Sequence, residues 1–390
     1  MRLAGKLATK FLLLVFCACV SRLALAQAEQ KDIDRLVEDA AHAVMSQYKV
    51  DGLAIATTVG GKQRFYNYGV ASRETQQRVS SDTLFEIGSI SKTITATLAT
   101  YAQVTGKLLL TDSVGMYLPE LKGSQFDRVT LINLATHTAG GFPLQFPEYI
   151  KNTEQMMAYF KGWQPTFAPG THRTYANPSV GMLGLIAAKS MNMPFETALE
   201  QSLFPELGMP DSFINVPSRK MSLYAQGYDK KDNPVRLNLG ILGAEAYGVK
   251  TSSKDLIHFI EANMGLAQTS PALERALAAT HTGYFELGPM TQDLIWEQYQ
   301  YPVTLNALLG GNSDKLAYES NAVTTLSPPR LPQQLVWINK TGSTNGFGAY
   351  VAFVPAKHLG IVILANKNFP NEARVRLAHR ILTELGAVKP

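Results

Sequence analysis

Three short motifs in this sequence carry residue types suited to covalent catalysis on an amide. The first is Ser89 followed three residues later by Lys92, after a glycine and at the start of a helical run. Side chains three positions apart share one face of a helix, so the amine of Lys92 lies near the Ser89 hydroxyl. Free N–H groups at a helix N-terminus favour a developing oxyanion and disfavour a second positive charge. Ser89 is therefore a candidate nucleophile, and a neutral Lys92 is a candidate acceptor for its proton.

The second motif is Tyr175-Ala176-Asn177, which is predicted to lie on a turn between two elements. A tyrosine beside cations can relay a proton, and an asparagine offers both a donor and an acceptor to an amide. Alone, the tripeptide is typical of a turn that contains asparagine. The first motif is equally weak alone, since Ser46 and Lys49 have the same spacing on what reads as an ordinary helix face.

The third motif is Lys340-Thr341-Gly342, which closes a predicted strand and is followed by Ser343. A lysine, a hydroxyl and a glycine along a strand edge can hold a carboxylate and let a substrate backbone approach closely. The N–H of Ser343 is also available to an oxyanion. Read alone, this tripeptide is an ordinary strand end, but the three motifs in this order are a specific combination.

The set resembles the serine β-lactamases and penicillin-binding proteins, and Tyr-Ala-Asn in the middle position is similar to class C, the AmpC type. Longer stretches extend the resemblance over nearly the whole chain: 134–147, 244–248 and 365–374. His137 stands where the family usually has tyrosine, and Phe142 where leucine is common. Neither departure falls on a catalytic residue of a motif.

The resemblance implies a role for each matching residue. Ser89 is the nucleophile, Lys92 and Tyr175 handle protons, and Lys340 is an electrostatic partner for Tyr175 and the substrate carboxylate. The backbone N–H groups of Ser89 and Ser343 form the oxyanion hole. The implied substrate-binding residues are Gln145 and Asn177 for the acylamino side chain, Tyr247 in the same pocket, and Thr341, Gly342 and Asn371 near the carboxylate.

The implied activity is hydrolysis of β-lactam antibiotics, preferentially cephalosporins, by a monomer that needs no cofactor or metal. One alternative is a D-alanyl-D-alanine peptidase or esterase of the same fold, which differs in the rate of deacylation on β-lactams. Gln145 and the Pro370 to Arg374 context of Asn371 favour the lactamase. A second alternative is an inactive β-lactam-binding sensor, against which the intact Tyr175 and Lys340 argue.

The N-terminal segment predicts export to the periplasm. Three basic residues occur among the first ten, an apolar run extends from Phe11 to Val20, and small residues precede a predicted cleavage after Ala26. The apolar run is too short for a membrane-spanning helix, which needs about 20 residues. A lipid anchor on Cys19 is disfavoured because the preceding residues lack the usual leucine.

Charge and cysteine content restrict the function classes further. Cleavage after residue 26 removes four basic residues and no acidic one, so the net charge falls from +5 to +1. Both cysteines, Cys17 and Cys19, lie in the predicted signal, so a mature chain has no thiol chemistry. Without a block of like charge, neither nucleic acid nor an anionic membrane is an expected partner. No two histidines lie three or four residues apart, and this disfavours a zinc hydrolase.

The elements that must position these motifs follow from hydrophobic periodicity. Strand patterns at both ends of the chain enclose a middle segment of helices and long Gly- and Pro-rich loops. The predicted helices are Asp32 to Met45, Ile90 to Thr105, Thr130 to Leu134, Val180 to Ser190, Ser253 to Met264 and Asn371 to Leu385. The predicted strands are Leu53 to Val59, Arg64 to Val70, Leu335 to Lys340, Gly348 to Phe353 and Gly360 to Leu364.

The predicted fold class is α/β, in the sense of an α+β sandwich. An antiparallel sheet built from both termini is flanked by helices and carries an inserted, mainly helical lobe, as in the serine β-lactamases and penicillin-binding proteins. We expect a signal peptide at 1–26, an α/β lobe at 27–84 plus 333–390, and a helical lobe at 85–332. The active site is expected between the two lobes.

Overall fold

The computed structural model describes residues 30–387. The predicted signal peptide at 1–26 and both cysteines lie outside the described residues. Within 30–387, no helix is both long enough and apolar enough to cross a membrane.

Within residues 30–387, nine of the fifteen strands form one antiparallel sheet, in the order β12-β8-β9-β10-β13-β14-β15-β1-β2. Three two-stranded sheets pair β3 with β7, β4 with β11, and β5 with β6. The strands are β1 (Gly52–Val59), β2 (Lys62–Gly69), β3 (Phe85–Glu86), β4 (His172–Thr174), β5 (Gly227–Tyr228), β6 (Pro234–Val235), β7 (Lys250–Thr251), β8 (Gly283–Leu287), β9 (Met290–Gln292), β10 (Glu297–Gln300), β11 (Ser320–Ala322), β12 (Thr324–Arg330), β13 (Val336–Ser343), β14 (Gly348–Val354) and β15 (Leu359–Ala365).

Helices cover both faces of the large sheet and fill the middle of the chain. They are α1 (30–48), α2 (Ser91–Val104), α3 (Val114–Tyr117), α4 (Leu131–Ala135), α5 (Thr153–Gly162), α6 (Asn177–Ser190), α7 (Phe195–Thr197), α8 (Phe204–Glu206), α9 (Gly243–Tyr247), α10 (Ser253–Asn263), α11 (Pro271–Thr280), α12 (Leu305–Gly311), α13 (Asp314–Tyr318) and α14 (Asn371–Ala387). A 3-10 turn at Gly88–Ile90 leads into α2, and a π-helical turn at Ala198–Leu203 joins α7 to α8.

The central strands β14 and β15 are buried on both faces, and their side chains alternate between two hydrophobic clusters. Ile361 and Ile363 of β15 pack with α1 and α14, whereas Val362 and Leu364 pack with the helices of the middle segment. Successive side chains of a strand point to opposite faces, so one apolar strand serves both clusters. This arrangement explains the unbroken apolar sequence of β15.

Helix α2 is buried along most of its length, which fixes the position of the Ser89 turn before it. It packs against α6, α9 and α11. Its buried threonines donate to carbonyls of the preceding turn, for example Thr93 to Ile90 at 2.8 Å and Thr97 to Thr93 at 2.9 Å. These bonds satisfy the hydroxyl groups locally, so a helix rich in threonine is stable inside the core.

The structure confirms the predicted fold class and the helices and strands predicted for both ends of the chain. It differs in the segment from Gly283 to Arg330: the sequence predicts that this segment is part of the mainly helical lobe, whereas it supplies β8, β9, β10 and β12 to the sheet. Strands β8, β9 and β10 have 5, 3 and 4 residues, too few to show a clear alternation, and β12 contains Pro328 and Pro329. Prolines are tolerated there because β12 is an edge strand.

Candidate active site

Ser89 and Lys92 are in direct contact at the N-terminus of α2. Lys92 Nζ donates to Ser89 Oγ at 2.9 Å and to the Ala246 carbonyl of α9 at 2.8 Å. The side chain of Lys92 is completely buried. Burial lowers the pKa of Lys92 to about 8, while Tyr175 opposes this shift and Lys340 adds to it. Lys92 is thus an amine poised to exchange a proton with the Ser89 hydroxyl.

Two glycines allow the Ser89 turn to pack against strand β13. Gly88 has a φ of +51°, and a Cβ at this position would overlap the backbone N and O of Ser343. A Cβ on Gly342 would overlap the Ile87 carbonyl. Only glycine fits both places, so the backbone of the turn that carries Ser89 packs directly against Gly342 and Ser343. The Lys-Thr-Gly motif was predicted to close a strand that ends at Lys340, but β13 continues through Ser343.

Arg374 of α14 holds the peptide group that carries the Ser343 N–H. Its guanidinium donates to the carbonyls of Gly342 at 2.5 Å and Ala349 at 2.9 Å, and to Ser343 Oγ at 3.0 Å. The C=O and N–H of a trans peptide point in opposite directions, so binding the Gly342 carbonyl directs the Ser343 N–H to the other side of the strand. Burial lowers the pKa of Arg374 to about 9.

Tyr175 lies in the turn between β4 and α6, close to three cations. Its ring centroid is 5.1 Å from Lys92 Nζ, 5.1 Å from Lys340 Nζ and 5.5 Å from the Arg173 guanidinium carbon. Burial acts to raise the pKa of Tyr175, but Lys340, Lys92 and a hydrogen bond with Ser89 outweigh it and lower the pKa to about 8. The phenol is therefore suited to proton relay near neutral pH.

A buried carboxylate balances the cations behind Tyr175. Glu297 Oε1 accepts from Arg173 at 3.0 Å and lies 3.6 Å from Lys340 Nζ. Its Oε2 accepts from the Asn339 amide at 3.2 Å, and Arg173 also donates to Gln292 Oε1 at 2.6 Å. Buried charges are stable only when paired and hydrogen bonded, and Glu297 meets this need for both cations.

A cavity of about 450 Å³ opens over these groups. Ten of the eleven predicted site residues line it, and Lys92 is buried beneath Ser89. The ten are Ser89, Gln145, Tyr175, Asn177, Tyr247, Lys340, Thr341, Gly342, Ser343 and Asn371. The Oδ1 atoms of Asn177 and Asn371 are buried without a hydrogen-bond partner within residues 30–387. Both oxygens are therefore unpaired acceptors in the wall of the cavity.

Glu86 connects two walls of this cavity. Its carboxylate accepts from the Leu237 N–H at 2.7 Å, from the Tyr224 hydroxyl at 2.6 Å and from the Thr344 hydroxyl at 2.6 Å. Leu237 and Thr344 both line the cavity. The residue therefore ties the loop that precedes α9 to the end of β13.

Sequence reasoning missed Glu86, Arg173, Glu297 and Arg374 as contributors to the site. Arg173 lies two residues before Tyr175, and Arg374 ends the stretch 365–374, so proximity to a motif was an available signal for both. Glu297 belongs to a short strand outside every motif and carried no such signal. Residues 30–387 contain no group of three or more His, Cys, Asp or Glu side chains placed to hold a metal ion.

Comparisons with known proteins agree with the motifs. A family model described as Beta-lactamase matches residues 33–385. A β-lactamase of Lysobacter lactamgenus is 52% identical over 375 residues, 96% of this chain and 97% of that protein. A structure from Pseudomonas syringae described as β-lactamase/D-alanine carboxypeptidase is 58% identical, with a TM-score of 0.90, and the match covers 92% of this chain and 100% of that one.

A class C β-lactamase solved in complex with cefoxitin is 53% identical, with a TM-score of 0.89 over 90% of this chain and 99% of its own. The likeness therefore extends over nearly the full length in sequence and in fold. This chain belongs to the β-lactamase family and, within it, to class C.

Proposed function

We propose that this protein hydrolyses β-lactam antibiotics through an acyl-enzyme on Ser89. The observation that carries the proposal is the convergence of three groups in one cavity. The Ser89 hydroxyl is 2.9 Å from the Lys92 amine, and the Tyr175 phenol lies beside both lysines. A nucleophile needs an adjacent base of matched pKa, and this arrangement supplies two candidates.

Acylation begins when Ser89 Oγ loses its proton to Lys92 or Tyr175 and bonds to the lactam carbonyl carbon. The negative charge moves to the carbonyl oxygen, where the N–H groups of Ser89 and Ser343 donate to it. As the tetrahedral intermediate collapses, the C–N bond breaks and the ring nitrogen takes a proton from Tyr175. A water then attacks the ester and gives a proton to Tyr175. As this intermediate collapses, the ester C–O bond breaks and Tyr175 passes that proton to Ser89 Oγ, which leaves as the free hydroxyl.

Substrate orientation is assigned to polar groups that line the cavity. Asn177 and Gln145 bind the amide of the acylamino side chain, and Tyr247 lines the same pocket. Lys340 and Thr341 hold the substrate carboxylate on one side, with Asn371 on the other. Charge-assisted bonds of this kind combine attraction with orientation.

The second candidate function is D-alanyl-D-alanine peptidase activity, because the similar Pseudomonas syringae protein is described by both names. The two activities share acylation and differ in how fast water releases each product. Steady-state rates on nitrocefin and on a peptide ending in D-Ala-D-Ala discriminate between them. We expect multiple turnovers on nitrocefin and little release of D-alanine. A stoichiometric burst without turnover on nitrocefin, together with steady peptide cleavage, would reverse the assignment.

We further propose that the enzyme acts in the periplasm as a monomer and prefers cephalosporins. We also propose that its cleft lies between a lobe built on the large sheet, to which β8, β9, β10 and β12 belong together with the segments 27–84 and 333–390, and a mainly helical lobe formed by the rest of 85–332. The basic and apolar pattern of residues 1–26 supports export. Cell fractionation and the intact mass of the mature protein test it, with loss of residues 1–26 as the expected result. Cytoplasmic protein that retains this segment would reject it.

A further inference from the structure

His137, which departs from the residue usual in the family, holds the backbone on both sides of Tyr175. Its carbonyl accepts from the Thr174 N–H at 2.9 Å, and its Nδ1 accepts from the Ala176 N–H at 3.2 Å. The side chain is 1% exposed. A single buried residue thus binds the neighbours of the phenol before and after it.

The imidazole ring also packs directly on the phenol. The centroids of the His137 and Tyr175 rings are 4.2 Å apart, with an angle of 35° between their planes. Lys92 and Lys340 approach the same phenol, each with its Nζ 5.1 Å from the centroid. Displacing the imidazole would leave the phenol room to move relative to both lysines and to Ser89.

The turn after α4 imposes this position on His137. The residue has a φ of +59°, in the left-handed region, where a side chain other than glycine costs about 1–3 kcal/mol. Asn133 caps α4 by exchanging bonds with Thr130, and its amide donates to the Thr138 hydroxyl at 3.1 Å. Thr136 and Thr138 share a further bond of 2.9 Å between their hydroxyl groups. The strained conformation is therefore held by its own turn.

The contacts determine the tautomer of the ring. Because Nδ1 accepts a hydrogen bond it carries no proton, so a neutral ring has its proton on Nε2. Burial lowers the pKa of His137 well below its usual value, and Arg173, Lys92 and Lys340 lower it further. A protonated ring would lose the bond to Ala176 and place a fourth positive charge beside these three cations. His137 therefore stays neutral where the enzyme works.

We propose that neutral His137 is a positioning residue for Tyr175, acting through its ring contact and its bond to the Ala176 N–H. It keeps the phenol beside Ser89 and between Lys92 and Lys340, where proton transfer occurs. The kinetic consequence rests on the proposed function, since it requires Tyr175 to handle the proton. The placement of the phenol does not depend on that function.

Kinetics of His137→Phe test the proposal against His172→Phe as a matched control. Phenylalanine keeps a ring but removes the acceptor, and His172 lies on β4 and stacks on Phe167 at 3.9 Å, away from the cavity. We expect His137→Phe to lower kcat about ten-fold with KM changed less than about two-fold, as for a misplaced proton-transfer group. His137→Asn, which keeps an acceptor and tolerates the left-handed region, should recover part of the loss.

The proposal is overturned if His137→Phe and His172→Phe have the same kcat, or if kcat falls only in proportion to the folded fraction measured by thermal unfolding. It is also overturned if His137→Asn shows no recovery while folding normally. A fall in kcat at an unchanged folded fraction, with partial recovery in the asparagine variant, supports it.

A spectroscopic titration tests the same placement without any turnover. Among tyrosines of residues 30–387 with a shifted pKa, Tyr175 is the only one whose pKa is lowered, so its phenolate forms first as pH rises. The difference in ultraviolet absorbance between the wild-type protein and Tyr175→Phe, followed as a function of pH, isolates the titration of Tyr175. In the His137→Phe background we expect this titration to move up by about one pH unit, because the phenol leaves the lysines.

An unchanged titration would overturn the proposal, as would ¹⁵N shifts of labelled histidine that place the His137 proton on Nδ1. These readouts also separate the two proposals. If the wild-type protein opens no β-lactam ring, the proposed function fails, whereas the Tyr175 titration and the His137 tautomer still decide the positioning role.

Discussion

Polar groups at the floor of the cavity and polar groups at its rim differ in whether they have partners within the protein. The floor comprises Ser89, Lys92, Tyr175 and Lys340, and its polar groups contact one another or buried partners such as Glu297. The rim comprises Gln145, Asn177, Tyr247 and Asn371, and it contains buried Oδ1 atoms with no partner in the described chain. A buried polar atom left unpaired costs about 1–3 kcal/mol, which a bound ligand can recover.

From this difference we expect the floor to carry the chemistry and the rim to recognise the substrate. Floor groups have neighbours that set their charge and position before any ligand arrives, so changing one should slow every substrate. Rim groups gain their partners from the ligand, so changing one should affect only substrates that supply the matching group.

The largest effect is expected for Ser89→Ala. Removing the nucleophilic oxygen should lower nitrocefin turnover by about 10⁴-fold or more, as in other serine hydrolases that lose their nucleophile. The change deletes one atom, so thermal unfolding should show a folded protein. Turnover within ten-fold of the wild type in a folded variant would remove Ser89 from its role.

Tyr175→Phe should lower kcat about 10³-fold for all substrates, in the range expected when a general acid–base group is lost. The phenyl ring keeps the packing against His137, so the fold should be preserved. Rates of acylation and deacylation, measured separately by stopped flow, should both fall. A normal rate in either half-reaction would assign its proton transfer to another group.

Gly88→Ala should lower kcat about 10²-fold, the loss typical of a disrupted oxyanion donor. A Cβ here would overlap the Ser343 backbone and separate it from Ser89. Gly60→Ala is the matched control, because Gly60 has a φ of +57° and no atom within 4 Å of the added Cβ. Equal rates in the two variants would show that the close approach of Ser343 is unimportant.

The pH dependence of kcat/KM should report the titration of Lys92 and Tyr175, the two proton acceptors of the floor. The pKa values of Lys92 and Tyr175 are both lowered to about 8, and each group accepts a proton only when deprotonated. Activity should therefore fall as pH decreases below 8, by about ten-fold per unit for a single required base. A flat profile from pH 6 to 9 would contradict this interpretation.

Asn177→Ala should have the smallest effect, and a selective one. Losing one amide contact should raise KM about ten-fold for β-lactams with an acylamino side chain, with little change in kcat. A β-lactam that lacks this side chain serves as the internal control and should be unaffected. An equal loss on both substrates would place Asn177 with the floor.

The sequence predicted the residues of the floor better than the residues that hold them in place. Ser89, Tyr175 and Lys340 belong to motifs that can be found in the sequence, and the structure brings all three to one cavity. Glu297 becomes part of the site only because β10 pairs with β13, and this pairing between short strands leaves no local pattern. The importance of His137 depends on a left-handed turn that a single sequence does not reveal. Long-range pairing and backbone strain therefore had to come from the structure.

In the proposed reaction, Ser89 Oγ becomes covalently bonded to an opened lactam. The most direct test of this bond is mass spectrometry of the protein quenched during reaction with a slowly hydrolysed β-lactam, followed by peptide mapping. We predict one adduct with the full mass of the antibiotic, located on the peptide that contains Ser89 and absent from Ser89→Ala. An adduct on another residue, or rapid hydrolysis with no adduct at any quench time and no loss in Ser89→Ala, would contradict it.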